Sequence, residues 1–313
     1  LGPIPPLGFY NYSVGGKGMS VRGTWTDLTI RAETIDLQFA DAAGTLEELN
    51  RARRDMHALD VDLTKQGLLK GDWIVVDGPG ASITETSDGL LFTALGGIDT
   101  PERIAILKTF PQTLQADFQS EFSIMKAVGN RERGMTTEAV IGLHLSDIGT
   151  EEVGPTETIV TEATLIVRYK PDGRIELRPR MVARNRDGKT VYQPLRELTI
   201  DMPGQLRIAL KDQTLYYLYG ADGSEEEKLV ATHKLKRETV ATRAETWFIG
   251  GLNNGEMRAV LEKMSIHTGP ATPAMTPTVN PRTQIPVQDV TAENPAQDGV
   301  PSRIYNSIRN LFR

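Results

Sequence analysis

Three side chains capable of acid–base or hydrogen-bonding chemistry alternate along one stretch of the sequence. Asp117, Gln119 and Glu121 are interleaved with Phe118 and Phe122. Alternate side chains of a β-strand point to the same face, so a strand here predicts the polar groups on one face and the rings on the other. A solvated outer row of the sheet is the favoured interpretation, and the alternative is a row of carboxylates and amides that contacts a bound ligand.

Two further candidates for contact with a ligand belong to the next predicted strand. Glu138 precedes the run Ala139–Leu145, and His144 lies within that run between two leucines. The other three histidines are far apart in the sequence, and no pair has the spacing of His-x-His or His-Glu-x-x-His. The sequence therefore predicts no metal site and, from motifs, no catalytic residue.

The composition excludes several classes of function. Against 41 Asp and Glu there are 35 Lys and Arg, and the resulting net charge of −6 disfavours nucleic acid as a partner. The absence of cysteine from the 313 residues excludes disulfides, thiolate zinc sites and cysteine nucleophiles. There is no Gly-x-Ser-x-Gly, no dinucleotide-binding glycine motif, and no apolar run near the ~18–20 residues that span a bilayer.

The elements that must position the candidate residues are short strands. Between residues 71 and 267, apolar runs alternate with turn-forming residues, which predicts antiparallel sheets packed as a jelly-roll β-sandwich. One hairpin is predicted to turn through residues 171–173, Pro-Asp-Gly, and another through residues 220–223. The predicted strands are Trp73–Val76, Gly89–Leu95, Ile104–Phe110, Gln115–Met125, Ala139–Leu145, Ala163–Tyr169, Arg174–Arg180, Gln205–Leu210, Leu215–Tyr219, Lys228–His233, Trp247–Ile249 and Ala259–His267.

The N-terminal part contains the clearest helix pattern. Residues 1–20 are rich in glycine and proline and predict an irregular arm. Residues 21–70 predict a strand pair followed by an amphipathic helix packed on the sandwich. Thr45 and Glu48 have the spacing of a capping box at the start of this helix. Its predicted apolar stripe consists of Leu46, Leu49, Met56, Leu59 and Leu63.

The C-terminal part predicts an extended arm. Residues 268–301 are rich in proline and predict a semi-rigid linker. Residues 302–313 predict an amphipathic helix that is too short to be stable alone in water. We therefore expect it to dock on a partner protein or on an anionic membrane surface. The candidate docking residues are Ile304, Tyr305, Ile308, Leu311 and Phe312 on its apolar face, with Arg303, Arg309 and Arg313 beside them.

Three stretches carry a resemblance to a known family. They are the opening strands at residues 71–76 and 87–91, the segment Asp117–Phe122, and the closing pair at residues 248–251 and 260–266. In these stretches the chain resembles the concanavalin A-like lectin/glucanase superfamily, with its laminin-G-like and keto-disaccharide-hydrolase-like domains. The resemblance implies two curved sheets whose concave face can hold a glycan. It makes candidate glycan-facing residues of Asp117, Gln119, Glu121, Glu138 and His144. It does not by itself assign an activity.

The same resemblance bears on catalysis and on cofactors. Glycosidases of the laminarinase type carry their carboxylates as Glu-x-Asp-x-x-Glu on one strand, and this sequence contains no such motif. Calcium is frequent in the superfamily, so the resemblance allows a calcium ion without assigning its ligands. No other cofactor is predicted.

Three functions compete at this point. The two arms favour a non-catalytic structural or interaction subunit of a larger extracytoplasmic assembly, associated with a membrane and docked through both termini. The first alternative is a secreted carbohydrate-binding or carbohydrate-active protein, glycosidase-like or lyase-like, that uses the concave face. The second is a structural protein of a virion or surface layer. A start without Met or a signal segment favours a mature periplasmic or secreted chain, with protein subunits as its main partners.

Overall fold

The computed structural model describes residues 42–63, 73–76, 78–128, 136–149, 154, 157–224, 226–251 and 254–271. Within these residues the protein has one α-helix and sixteen β-strands. Their bounds are α1 Ala42–Arg54, β1 His57–Asp62, β2 Ile74–Val76, β3 Ala81–Thr86, β4 Gly89–Leu95, β5 Glu102–Thr113, β6 Ala116–Val128, β7 Thr137–Asp147, β8 Thr158–Tyr169, β9 Ile175–Asn185, β10 Thr190–Pro194, β11 Leu198–Thr199, β12 Pro203–Lys211, β13 Thr214–Ala221, β14 Glu227–Lys234, β15 Thr239–Gly250 and β16 Glu256–Thr268.

Eight of the strands form a first antiparallel sheet, here called sheet A. Its order is β14-β13-β12-β6-β16-β4-β3, and β1 also pairs with β16. Strand β16 is long enough to carry two partners along one edge. Its first half, residues 256–261, pairs with β4, and its second half, residues 263–268, pairs with β1. Along its other edge it pairs with β6, so β6 and β16 form the centre of sheet A.

The other eight strands form a second antiparallel sheet, sheet B. Its order is β10-β9-β8-β7-β15-β5-β2, and β11 pairs with β9 beside β10. The central strands β7, β8 and β15 are long, and both neighbours of β7 are antiparallel to it. Between Glu138 and His144, β7 pairs in continuous register with both β8 and β15, and this places the outward-facing side chains of the three strands in rows.

The two sheets pack on one apolar core. Phe118 and Phe122 of β6 are buried in it, on the face that their alternation predicted. The ring of Phe248 in β15 lies 5.0 Å from that of Phe92 in β4 and 5.9 Å from that of Phe122, measured between ring centroids. Burial of each such ring stabilises the fold by about 1.5–3 kcal/mol relative to its exposure. The predicted mainly β antiparallel sandwich with one N-terminal helix is confirmed in the described part of the chain.

The helix ends earlier than the sequence pattern predicted. It stops at Arg54, and the next residues form β1 on the edge of β16. Leu59 and Leu63 fit the helical stripe, but together with Val61 they also have the two-residue period of a strand. Pairing with β16 satisfies the backbone of β1, and Leu63 becomes fully buried in the core. The strand therefore replaces the second half of the predicted helix.

The helix packs on the outer face of sheet A. The sequence had predicted Thr45 at the N-cap. The helix begins at Ala42, so Thr45 lies inside the helix instead. Leu49 is buried against Ala209 of β12 and Leu218 of β13, on the side of sheet A that faces away from the core. The helix thus covers a part of this face that would otherwise be exposed to solvent.

Candidate functional site

A groove of about 500 Å³ lies on the outer face of sheet B. Side chains of β5, β7, β8, β9, β10 and β15 line it. Outward-facing side chains of neighbouring strands meet in rows across an antiparallel sheet. In one row Glu162 of β8, His144 of β7 and Arg243 of β15 are register partners. In the next row Gly142 of β7 is the partner of Glu245 of β15.

Gly142 provides the space in which two side chains of the groove meet. A Cβ atom at this position would lie 2.7 Å from Cζ3 of Trp247 and 2.8 Å from Oε1 of Glu162. Contacts this short are not tolerated between non-bonded atoms, so a larger residue cannot stand here without moving the ring or the carboxylate. The glycine therefore lets the indole ring and the Glu162 carboxylate close over β7.

His144 lies between two glutamates. Its Nε2 atom is 3.0 Å from Oε2 of Glu245 and 3.7 Å from Oε1 of Glu162. Glu245 also forms an ion pair with Arg103 of β5, and Nη2 of Arg243 lies 3.9 Å from its Oε2. Glu245 is thus surrounded by positive and hydrogen-bonding groups, whereas Glu162 approaches only the imidazole this closely among the described residues.

These surroundings shift the pKa values of the two glutamates in opposite directions. Burial raises the pKa of Glu162, and the negative charge of Glu245 adds to this effect against the opposing pull of His144. Burial would also raise the pKa of Glu245, but the hydrogen bond from His144 and the charge of Arg103 outweigh it and lower that pKa. The groove therefore makes Glu162 the weaker acid of the two and Glu245 the stronger.

The floor of the groove is apolar. Trp247 is 6% exposed and packs with Val140, Ile166 and Ala105 in a small cluster on the outer face of sheet B. The guanidinium of Arg103 lies over the indole ring, 4.6 Å from its centroid. This cation–π contact and the apolar cluster hold the ring in place, so the neighbouring carboxylates lie on a rigid, poorly hydrated surface.

One wall of the groove is positively charged. Arg180 of β9 stacks on the ring of Tyr192 of β10, with 5.1 Å between its Cζ atom and the ring centroid. Its Nε donates to Oγ1 of Thr164 at 3.2 Å. Arg184, four residues further along β9, is exposed on the same side of the groove. Among the described residues, no carboxylate forms an ion pair with either arginine.

Two of the residues predicted to face a glycan lie in this groove. His144 is the residue between the glutamates. Glu138, near the start of β7, lines the groove and accepts a hydrogen bond from Nε of Arg168 at 2.7 Å. Both positions agree with an outward-facing row on the sheet that carries the groove, while their contact with a glycan stays a prediction.

Asp117 and Gln119 lie on the other sheet, and α1 covers them. Asp117 is 1% exposed and accepts three hydrogen bonds from the guanidinium of Arg207 on β12, at 2.6–3.0 Å. Arg207 is also 1% exposed, and it forms further contacts with Glu227 and with Asn50 of α1. The solvated outer row is therefore wrong for Asp117, whose partners are protein groups.

Arg53 completes this buried network from the helix side. Its guanidinium donates to the side chains of Gln119 and Ser265, and to Nδ1 of His267 at 3.2 Å. Glu121 lies at the rim of the network, where it accepts a hydrogen bond from Gln119 at 2.8 Å. Asp117 and Gln119 are thus separated from solvent by the helix, because a segment some sixty residues upstream folds over them.

The sequence analysis missed the acids of the groove. Glu162 lies just before the predicted strand Ala163–Tyr169, and Glu245 just before Trp247–Ile249, whereas β8 and β15 begin well upstream of both residues. The signal that could have found them is the two-residue alternation of side chains, continued through the charged residues of β8 and β15. With β15 extended, Glu245 and Trp247 share a face by the two-residue period alone.

The predicted docking residues, Ile304, Tyr305, Ile308, Leu311, Phe312, Arg303, Arg309 and Arg313, lie outside the described residues. The same holds for the arm at residues 1–20 and for most of the proline-rich linker. Docking through these segments stays a prediction. None of the helices in the described part of the chain is long and apolar enough to cross a membrane. Within that part, no cluster of His, Asp or Glu has the arrangement of a metal site.

Comparison with protein families gives one match. The family described as "Protein of unknown function (DUF1583) C domain" matches residues 1–78. The match ends before β3 and covers α1, β1 and β2 of the described elements. No curated protein matches the sequence.

Several solved structures are similar in structure to part of this chain. A protein of unknown function with a galectin-like fold from Bacillus subtilis is 11% identical, with a TM-score of 0.42 over 68% of this chain and 97% of that chain. The Bacillus licheniformis β-glucanase is 10% identical, with a TM-score of 0.39 over 68% and 98%. The exoplasmic/lumenal domain of VIP36, in a form bound to Ca²⁺ and Man3GlcNAc, is 12% identical, with a TM-score of 0.40 over 69% and 90%. These likenesses concern the fold alone.

Proposed function

We propose that this protein is a carbohydrate-active enzyme that binds a glycan in the groove of sheet B and hydrolyses a glycosidic bond there. The observation that carries the proposal is the pair of glutamates on either side of His144, with pKa values shifted in opposite directions. Two carboxyl groups whose surroundings separate their pKa values are suited to act as an acid and as an anion in the same reaction.

The groove supplies the surfaces that sugar recognition needs. Ligand sites combine an apolar surface with a few placed polar groups, and here the cluster around Trp247 is flanked by charged side chains. The ring of Tyr192 is 38% exposed at the groove wall and offers a face on which a pyranose ring can stack. A glycan lying across β8, β7 and β15 would contact both glutamates.

In the proposed reaction, protonated Glu162 donates its proton to the glycosidic oxygen. The bond between that oxygen and the anomeric carbon breaks, and the leaving sugar takes the bonding electrons as a hydroxyl group. The ionised carboxylate of Glu245 stabilises the positive charge that develops at the anomeric carbon. Water then adds to this carbon and gives one proton to Glu162, which restores the acid.

His144, Arg103 and Arg243 are positioning residues in this scheme. They hold Glu245 ionised and fix its orientation. Because both carboxylates contact the same imidazole nitrogen, at 3.0 and 3.7 Å, the two contacting oxygens lie close together. Paired carboxylates in glycosidases act over separations of ~5–9 Å. The substrate-binding cleft and the acid pair thus belong to one structural unit.

The proposal is tested by incubating the full chain with a panel of neutral and acidic oligosaccharides and measuring new reducing ends. We expect hydrolysis of at least one substrate, and a rate about 10²–10⁴-fold lower for Glu162→Gln, because general acid catalysis contributes effects of that size. Glu238→Gln is the control, since Glu238 is exposed and lies outside the groove. Full activity of Glu162→Gln would disprove the acid role, and failure of every oligosaccharide to bind would disprove the function.

The predicted extracytoplasmic location is consistent with a polysaccharide substrate and stays part of the proposal. Docking of the C-terminal segment to a protein assembly or to a membrane is compatible with an enzyme that works on such a surface. A calcium ion is likewise a proposal without assigned ligands.

A further inference from the structure

The positively charged wall of the groove has a feature that the acid pair does not explain. Arg180 is partly buried, and its guanidinium contacts the ring of Tyr192 and the hydroxyl of Thr164. The other cations near the groove differ in this respect. Arg103 is paired with Glu245, and Arg168 is paired with Glu138.

A partly buried cation without an anion is unfavourable. Removing a guanidinium from water costs free energy that only an opposite charge or several hydrogen bonds restore. Burial lowers the pKa of Arg180 for this reason, although nearby Glu162 and Glu138 oppose the effect. A guanidinium stays charged at any physiological pH, so this position favours an anionic group from a ligand.

The second arginine extends the positive surface. Arg184 lies four residues after Arg180 on the same face of β9. It is exposed at the groove, next to its register partner Thr190 on β10. The wall thus presents two guanidinium groups one after the other along the groove. Neither of them forms an ion pair with a carboxylate of the described residues.

The wall lies close to the acid pair. Arg180 is the register partner of Thr164 on β8, and Thr164 is the partner of Gly142 on β7, which is the partner of Glu245 on β15. Neighbouring strands are about 5 Å apart, so Arg180 is two strands from Gly142, at roughly 10 Å. A sugar held at the glutamates can therefore place a substituent, or that of the adjoining sugar, on Arg180.

We propose that the glycan bound in this groove is acidic, and that Arg180 binds its carboxylate or sulfate group while Arg184 binds a second one. A planar guanidinium fits both groups through paired hydrogen bonds. This inference rests on the proposed function, since it names the class of glycan that the same groove takes. It assigns a specificity role to residues that take no part in the proton transfer.

The test compares matched ligands on one protein. Binding is measured by titration calorimetry on the full chain carrying Glu162→Gln, so that the ligand is not consumed. The ligands are a uronic acid oligosaccharide, its carboxyl-reduced neutral counterpart, and a sulfated oligosaccharide of the same length. We expect the acidic ligand to bind about ten- to a hundredfold more tightly than the neutral one, as charge-assisted hydrogen bonds predict.

Single substitutions then test which arginine causes the preference for the acidic ligand. Arg180→Gln should remove most of the preference for the acidic ligand, and retained binding of the neutral ligand shows that the groove is intact. Arg174→Gln is the matched control, because it makes the same charge change in an exposed turn of the hairpin that contains Arg180. A preference for the sulfated ligand alone would support the inference and identify sulfate as the anion.

Two results have separate meanings. Equal affinity for the acidic and neutral oligosaccharides would overturn the acidic-glycan inference and leave the proposed function intact. Absence of binding by all three ligands, together with no hydrolysis by the unsubstituted chain, would overturn the proposed function and the inference with it. A preference that survives Arg180→Gln would also overturn the assignment to Arg180.

Discussion

The outer faces of the two sheets carry similar side chains in different surroundings. On sheet A, the guanidinium of Arg207 is fully buried and is bound by Asp117, Glu227 and Asn50 beneath α1. On sheet B, Arg180 stacks on a ring at the wall of an open groove and forms no ion pair within the described part of the chain. Polar side chains point outward on both faces, and the one helix of the described residues covers those on sheet A.

This difference relates the covered face of sheet A to the stability of the fold and the groove of sheet B to ligand binding. A buried charge network is tolerated when each charge has partners, and it then makes the fold depend on all of its members. A groove that keeps charges unpaired, or pKa values displaced, gives up stability that a ligand can restore. We therefore expect substitutions under α1 to change the free energy of unfolding, and substitutions in the groove to change binding and catalysis.

The largest expected effect comes from removing the buried arginine. Arg207→Ala removes the buried cation that binds Asp117 and Glu227 under the helix, and we expect a loss of about 3–5 kcal/mol in the free energy of unfolding. Arg180→Ala removes the same side chain from the groove and should cost less than about 1 kcal/mol, because no ion pair is broken. Urea unfolding followed by tryptophan fluorescence measures both. Equal losses for the two variants would refute the contrast between the faces.

Much of the fold follows from local sequence signals. The predicted turn at Pro171 forms as expected, with Gly173 at a φ of +86° and its N–H bonded to the carbonyl of Lys170 at 3.0 Å. Strand β4 has the predicted bounds Gly89–Leu95. These features depend on alternation and on backbone preferences within a few residues. The same signals were insufficient for β1. Its leucines fit both a helical period and a strand period, and pairing with the distant strand β16 selects the strand.

The site was less predictable, because its chemistry depends on contacts between distant segments. The alternation along β6 correctly placed Asp117 and Phe118 on opposite faces of the sheet. Nothing within that strand indicates that α1 will cover the carboxylate of Asp117. In the same way, Glu162 and Glu245 are far apart in the sequence and meet only because β7 lies between their strands. Charged residues also obscured the ends of β8 and β15, and these were the residues that line the groove.

A smaller effect is expected from filling the space over β7. Gly142→Ala forces the new methyl group against Trp247 and Glu162, and we expect a loss of about 1–3 kcal/mol in unfolding free energy from this overpacking. It should also weaken ligand binding, since the ring and the carboxylate must move. Gly220→Ala is the control on sheet A, because the nearest atom to its Cβ is 3.5 Å away. If both alanine variants behave alike in stability and binding, the close approach at Gly142 has no role.

The smallest effects separate the two glutamates within the groove. The raised pKa of Glu162 means that the folded state binds its proton more tightly than the unfolded state does. Its contribution to the free energy of unfolding therefore falls as the pH rises from the unfolded-state value, about 4.3, through the folded-state pKa. The lowered pKa of Glu245 has the opposite sign. Its stabilising contribution is present above the unfolded-state pKa and is lost as the pH falls through the folded-state value.

Neutral amide variants of the two residues should consequently show opposite pH dependence. Glu162→Gln should equal the unsubstituted protein in acid and become more stable than it at neutral pH. Glu245→Gln should be less stable at neutral pH, on the order of 1 kcal/mol for the lost charge-assisted contacts, and should approach the unsubstituted protein in acid. Urea unfolding between about pH 3 and pH 8 measures both differences. The same sign for both variants at neutral pH would mean that the groove does not hold one glutamate as an acid and the other as an anion.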